Sequence, residues 1–236
     1  ADISRRDRER YLETVVLSID FRSRATVTHT IATACLSRTL ARVMKFPTPE
    51  IEAIETGALL HDIGKAGIPV QILESPYKLD THDMEVMRSH VALSEQVLKG
   101  WVSKKIERIA IRHHEKLNGS GYHKGISAHD LTPGERLVAV TDILSALCGS
   151  RSYKGNFPKD KVVSIMEDMA EEGLIDPDIT RAAIGNYDYL LARMRAETKN
   201  VTEDYESIQR EFSAISEDIT EMESRDSFDF SSYFEI

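Results

Sequence analysis

The segment His61-Asp62-Ile63-Gly64-Lys65 puts an imidazole, a carboxylate and an ammonium within five positions. It closes an apolar run with helical spacing, Ile51, Ile54 and Ala58 followed by Leu59 and Leu60. Neighbouring residues of a helix diverge by about 100°. His61 and Asp62 can still serve one pair of metal ions if the carboxylate gives an oxygen to each. Lys65 follows His61 by four and Asp62 by three, the spacing of one helical face. Its ammonium suits a phosphate held over the metals. Two other His-Asp pairs, His82-Asp83 and His129-Asp130, stand in polar surroundings and read as solvated.

Further candidate ligands are His29, His90, His113, His114 and Asp142, each in or beside an apolar helical stripe. Singly, such a residue is ordinarily a hydrogen-bonded boundary group. Five histidines and two aspartates on separate helices would be costly to bury unless something satisfies them together. A shared metal cluster does so. Two divalent ions against two aspartates and neutral imidazoles leave a charge of about +2, which a bridging hydroxide and one phosphodiester bring near neutrality. Ions of this kind ionise water near neutral pH, polarise phosphoryl oxygens and stabilise a leaving oxygen. Mostly imidazole ligands favour iron, manganese or zinc over magnesium.

The elements that must position these groups read as short helices divided by proline and glycine. Residues 6–20 carry Tyr11, Leu12, Val15, Val16 and Ile19 at helical spacing, and 25–44 repeat the pattern with Val27, Ile31, Ala34, Cys35 and Val43. Thr48-Pro49 predicts a helix start with a capping hydroxyl. Thr81 predicts one helix with Met84, Met87, Val91 and Leu98 facing inward, and residues 103–115 put Ile106, Ile109 and His113 on one stripe. Thr132-Pro133-Gly134-Glu135 combines a capping box with proline at the first helical position, ahead of Leu137, Val140, Leu144 and Leu147. Asp176-Pro177 opens another helix. Between residues 116 and 131, three glycines in seven positions from Gly119 exclude regular helix and predict a loop whose backbone approaches something closely. The fold class is all-α.

These residues, in this order, resemble the HD-GYP branch of the HD metal-dependent phosphohydrolases. The matching positions are His29, HDIGK at 61–65, His90, HHE at 113–115, GSGY at 119–122 and Asp142 in VTDILSAL, followed by Arg151 and Lys154 in RSYK. The resemblance covers roughly residues 12–190. It implies a helical bundle around a metal cluster, hydrolysing cyclic di-GMP to pGpG and/or GMP through attack by a metal-bridged hydroxide. Carried over by position, His29, His61, Asp62 and Asp142 hold one ion, and Asp62 bridges to a second held by His90 with His113, His114 or both. Lys65, Tyr122, Arg151 and Lys154 face the substrate, with Asp62 and Lys65 at the chemistry. Three departures stand out: His123 replaces the proline of Gly-Tyr-Pro, Asn118 replaces an aspartate, and Ala25 stands where three-metal members carry glutamate. The expectation is therefore two divalent ions, iron or manganese, with zinc also compatible.

The chain is expected to divide into an N-terminal helix (1–21), the HD-GYP-like domain (22–196) and an acidic heptad-patterned tail (197–236). Residues 197–236 contain twelve acids and three bases, the whole of the net charge of −9, while residues 1–196 balance at 27 of each sign. No broad basic surface marks a nucleic-acid binder, and no apolar run has the length to span a bilayer. Cys35 and Cys148 lie in apolar stretches, so reduced thiols and a cytoplasmic location are expected. In the tail, Val201, Tyr205, Ile208, Phe212, Ile215, Ile219 and Met222 step by four and three, the stripe of a helix that pairs with a second copy or lies along its own domain. Phe228, Phe230, Tyr233 and Phe234 suggest a docking end. The altered loop at 119–125 is a candidate contact for a signalling protein. It motivates the alternative reading of a catalytically weak cyclic-dinucleotide sensor or protein-interaction module. A third reading, a phosphohydrolase of mononucleotides, fits Arg151 and Lys154 less well.

Overall fold

The computed structural model describes residues 11, 14–16, 24–73, 75, 77–149 and 157–225, and among them no strand occurs. The helices are α1 (Arg24–Val43), α2 (Thr48–Leu60), α3 (Val70–Leu73), α4 (Thr81–Arg88), α5 (His90–Leu98), α6 (Lys104–Ile111), α7 (Pro133–Cys148), α8 (Lys159–Glu171), α9 (Pro177–Gly185) and α10 (Tyr187–Arg225). Two 3-10 turns, Ile63–Gly67 and Ala128–Asp130, interrupt the longer connections.

Helix α1 is the central post. It packs on α2, α7 and α10, while α6 closes against α2 and the 63–67 turn lies on α5. Leu36, Leu40, Ile54, Leu60, Leu98, Ile106, Ile109, Leu137, Leu144 and Leu190 are fully buried between these elements. Their apolar area drives the assembly. Arg38 on α1 ties the bundle laterally, donating to Glu55 of α2 and Glu197 of α10. The capping box at Thr132 and Glu135 is present, and buried Glu135 also pairs with Arg108 of α6 and with Arg112 just after it. Asp176 caps α9 through the N–H groups of Asp178 and Ile179.

Three expectations are corrected. Thr48 does not cap: Pro47 is the N-cap of α2, and Thr48 already lies within the helix. The helix expected from Thr81 is two, parted at Ser89, and Asp80 caps the first by accepting from the Asp83 N–H. Met84 on α4 is exposed, whereas Val91 and Leu98 on α5 are buried. The turn carrying Lys65 is 3-10, α2 having ended at Leu60.

Of the expected N-terminal helix only Tyr11 and Thr14–Val16 are described, all helical, with Val16 in the core. Arg151, Lys154, the side chain of Ala25 and the aromatic residues from Phe228 onward lie outside the described residues. Helix α10 runs through the expected boundary at 196 without a break. Its first turns are in the core through Tyr187, Leu191 and Met194, whereas Ile208 and Ile215 are more than half exposed. No described helix is long and apolar enough to cross a membrane.

Candidate metal centre

His61 directly follows α2, His113 lies two residues past α6, and His90 opens α5 two residues past the end of α4. A helix leaves its last carbonyls without intrahelical donors. Each ring uses one of them. Nδ1 of His61 lies 2.6 Å from the carbonyl of Ala58, Nδ1 of His90 lies 2.7 Å from that of Met87, and Nδ1 of His113 lies 2.6 Å from that of Ala110. A carbonyl can only accept, so Nδ1–H donates in all three, and Nε2 is left to face the interior.

The three Nε2 atoms and the two buried aspartates converge. His61 Nε2 is 3.1 Å from Asp62 Oδ2, and His90 Nε2 is 3.2 Å from Asp62 Oδ1. His90 Nε2 and His113 Nε2 face each other at 3.4 Å. His29 Nε2 meets Asp142 Oδ1 at 3.0 Å, and His61 Nε2 approaches the same oxygen at 3.6 Å. The ligand-capable atoms fall into two clusters, His29 with His61 and Asp62, and His90 with His113 and His114. Asp62 turns one oxygen toward each. His114 is set at the outer side, its Nδ1 3.9 Å from Asp142 Oδ2.

This arrangement fits divalent cations. Ligand atoms on one ion at about 2.1 Å stand about 3.0–3.4 Å from one another; the tightest separations here are 3.0–3.4 Å and others reach 3.9 Å. Among the described residues, the buried His61 Nε2 and Asp62 Oδ1 have no hydrogen-bond partner. Such atoms are costly unless something positive lies between them.

The electrostatics agree. Burial lowers the pKa of His90, holds that of His113 well below its usual value, and takes that of His114 down to about 4, so these rings keep a lone pair at neutral pH. Burial works the same way on His61, but Asp62 and Asp142 outweigh it and raise its pKa to about 10. Without a metal ion His61 carries a proton that an ion would displace. Burial opposes ionisation of Asp62 and Asp142. His61 and Lys65 nevertheless hold Asp62 well below the usual carboxylate range, as His29 and His61 do for Asp142. The C-termini of α2 and α6 add their negative dipole ends.

The surroundings fix this geometry. Gly64 N–H donates to Ser94 Oγ at 2.9 Å, and Ser94 Oγ donates to the His61 carbonyl at 3.2 Å. A Cβ on Gly64 would lie 2.0 Å from the His90 carbonyl oxygen, so only glycine lets the turn rest on α5. Gly121 is equally constrained, a Cβ there falling 2.4 Å from Lys116 N. Lys65 Nζ donates to Asp62 Oδ2 and is one-fifth exposed, at the edge between the centre and solvent. Tyr122 stacks on His114 with centroids 4.7 Å apart, and burial first, with Asp62 and Asp142 adding, pushes its phenol pKa up.

The structure thus brings together His29, His61, Asp62, His90, His113, His114 and Asp142, with Lys65 and Tyr122 on the rim. Sequence reasoning missed Arg88, whose guanidinium lies 5.1 Å over the Tyr122 ring, and Ser94, which joins the turn to α5. It also missed Lys116, whose pKa is lowered by burial against the pull of Asp142. The only sequence signals for these were proximity to His90 for Arg88 and Ser94, and to His114 for Lys116.

The HD-domain family profile matches residues 14–179. The chain is 35% identical over 173 residues to a 3′3′-cGAMP-specific phosphodiesterase of Vibrio cholerae, covering 71% of this chain and 37% of that protein. It is 32% identical over 180 residues to the cyclic di-GMP phosphodiesterase response regulator RpfG of Xanthomonas campestris, covering 75% and 47%. The chain therefore spans less than half the length of these relatives. Among solved structures, the HDG"Y"P protein Bd1817 of Bdellovibrio bacteriovorus has the same fold, with a TM-score of 0.58 at 19% identity over 78% of this chain and 62% of that one.

Proposed function

The chain belongs to the HD-domain family, in its HD-GYP branch, and from that membership we propose that it hydrolyses a cyclic dinucleotide, cyclic di-GMP first, to pGpG, GMP or both. The observation that carries the reading is Asp62, placed between two sets of histidines with an oxygen turned toward each. In this reading His29, His61, Asp62 and Asp142 would hold one divalent ion, and His90, His113 and His114, together with Asp62, would hold a second. Iron or manganese is the expected metal, zinc being compatible with the same donors. When bound, the ions supply Lewis-acid polarisation of the phosphodiester and water acidified to near neutral pH.

The protein's own groups do the rest. Lys65 lies beside Asp62 at the rim, where its ammonium neutralises charge gathering on the phosphoryl oxygens. Tyr122, kept protonated by its raised pKa, donates to a phosphate or base edge. Arg88 over the Tyr122 ring adds a planar cation suited to a second phosphate or a guanine edge. Arg151 and Lys154 take the same role by position in the motif.

Helix α10 supports assembly with a second copy. In the heptad register of the sequence, Asp204, Glu211 and Asp218 precede the stripe residues at one flank, while Thr202, Gln209 and Ser216 follow them at the other. Parallel pairing sets acids against neutral residues, whereas antiparallel pairing sets acid against acid.

The test is metal analysis of purified protein followed by incubation with cyclic di-GMP, 3′3′-cGAMP and cyclic di-AMP in manganese or iron. About two ions per chain and linear product from cyclic di-GMP are expected. Absence of product from all three at micromolar enzyme overturns the proposal.

A further inference from the structure

The loop that follows the histidine pair departs from its motif at His123, and two carboxylates hold that departure in place. Glu115, buried, accepts the N–H of Lys124 at 2.8 Å and of Ile126 at 3.1 Å. Glu95 reaches the loop from α5. Its Oε2 lies 3.0 Å from His123 Nε2, and its Oε1 accepts from Lys124 Nζ at 2.6 Å. The imidazole Nε2 has no hydrogen-bond partner among the described residues and lies in contact with the carboxylate, while the Lys124 ammonium is the charged partner. Lys124 first, and His123 with it, draw the Glu95 carboxyl below its usual range.

We propose that Glu95 is a positioning residue, a clasp that replaces with charge the restraint a proline at 123 would impose through its ring. Proline fixes its own φ and removes conformations from the unfolded and mobile chain. Histidine at 123 restores that freedom. A carboxylate gripping His123 and Lys124 from a neighbouring helix takes it away again from outside. The restrained residue adjoins Tyr122, whose ring rests on His114 and beneath Arg88. Glu95 shares α5 with His90, so the clasp fastens the Tyr122 loop to the element that also delivers a ring to the centre. Glu115 holds the backbone after residue 123 through the N–H groups of Lys124 and Ile126, and Glu95 adds a second hold from α5 through the side chains at 123 and 124.

The catalytic part of this inference rests on the phosphodiesterase reading; the restraint on the loop does not. Four proteins test both: wild type, Glu95→Ala, His123→Pro and the double variant. The N–H of His123 is unused among the described residues, so proline there removes no hydrogen bond. Glu95→Ala should speed amide exchange across residues 116–127 by about fivefold or more. It should raise KM for the cyclic dinucleotide about tenfold, with kcat within about twofold. His123→Pro alone should leave both unchanged, and the double variant should return both to the wild-type values. Exchange in Glu95→Ala equal to wild type, or a double variant no better than the single, overturns the clasp. If Glu95→Ala folds poorly, Glu95→Gln keeps the side-chain volume, removes the charge and carries the same expectations. Should wild type hydrolyse no cyclic dinucleotide, the functional reading falls while the exchange measurements still decide the clasp.

Discussion

Three rings at the centre are aimed by one repeated device, a carbonyl three residues back, near the end of the preceding helix, that accepts the ring Nδ1–H. The residue types were legible in the sequence, because buried histidines and aspartates on separate apolar stripes lack partners unless they meet. Their protonation pattern was not, since it depends on which carbonyl each ring finds. Nor was Arg88, whose role comes from a contact with a residue 34 positions later. Lys65 is where the roles of ligand and substrate contact separate. Its ammonium touches Asp62 but cannot ligate a cation. Lys65→Met should therefore retain the metal content of wild type while lowering kcat about 100-fold. Metal analysis beside steady-state kinetics checks this, and loss of metal in step with activity would assign Lys65 to holding the site together.

At the scale of elements, the all-α class and most helix starts followed from caps and apolar period. The break at Ser89 did not. Met84, Met87, Val91 and Leu98 can be drawn on one continuous stripe. The chain instead turns between α4 and α5, and Ser89 Oγ takes up the Val86 carbonyl at 2.6 Å. That break puts His90 at a helix junction and within reach of Asp62. The 63–67 turn completes the approach through Gly64, whose missing side chain is required by the α5 backbone and not by an unusual φ. Gly64→Ala forces the turn and α5 apart and should cost about 1–3 kcal/mol in stability. Thermal unfolding of the ion-free chain measures this. A melting temperature unchanged from wild type would show that the contact yields easily.

At the scale of the whole molecule, the sequence divides its charge between a balanced bundle and an acidic end, yet α10 crosses that division as one helix. Its beginning belongs to the core, and Arg38 binds Glu197 just past the expected boundary. In the proposed pairing, the exposed Ile208 and Ile215, seven positions apart, would form the seam with a second chain. Replacing both with lysine should convert a dimer to a monomer in light scattering while leaving the helical bundle folded. A wild-type chain that already scatters as a monomer would reject pairing. The helix-end histidines have a consequence at this scale too. Each ring travels with the carbonyl that orients it, so sliding one short segment along its own axis changes how far a donor reaches without changing which nitrogen it offers. Reach and reactivity are written in different parts of the chain, and either can drift while the other stays put.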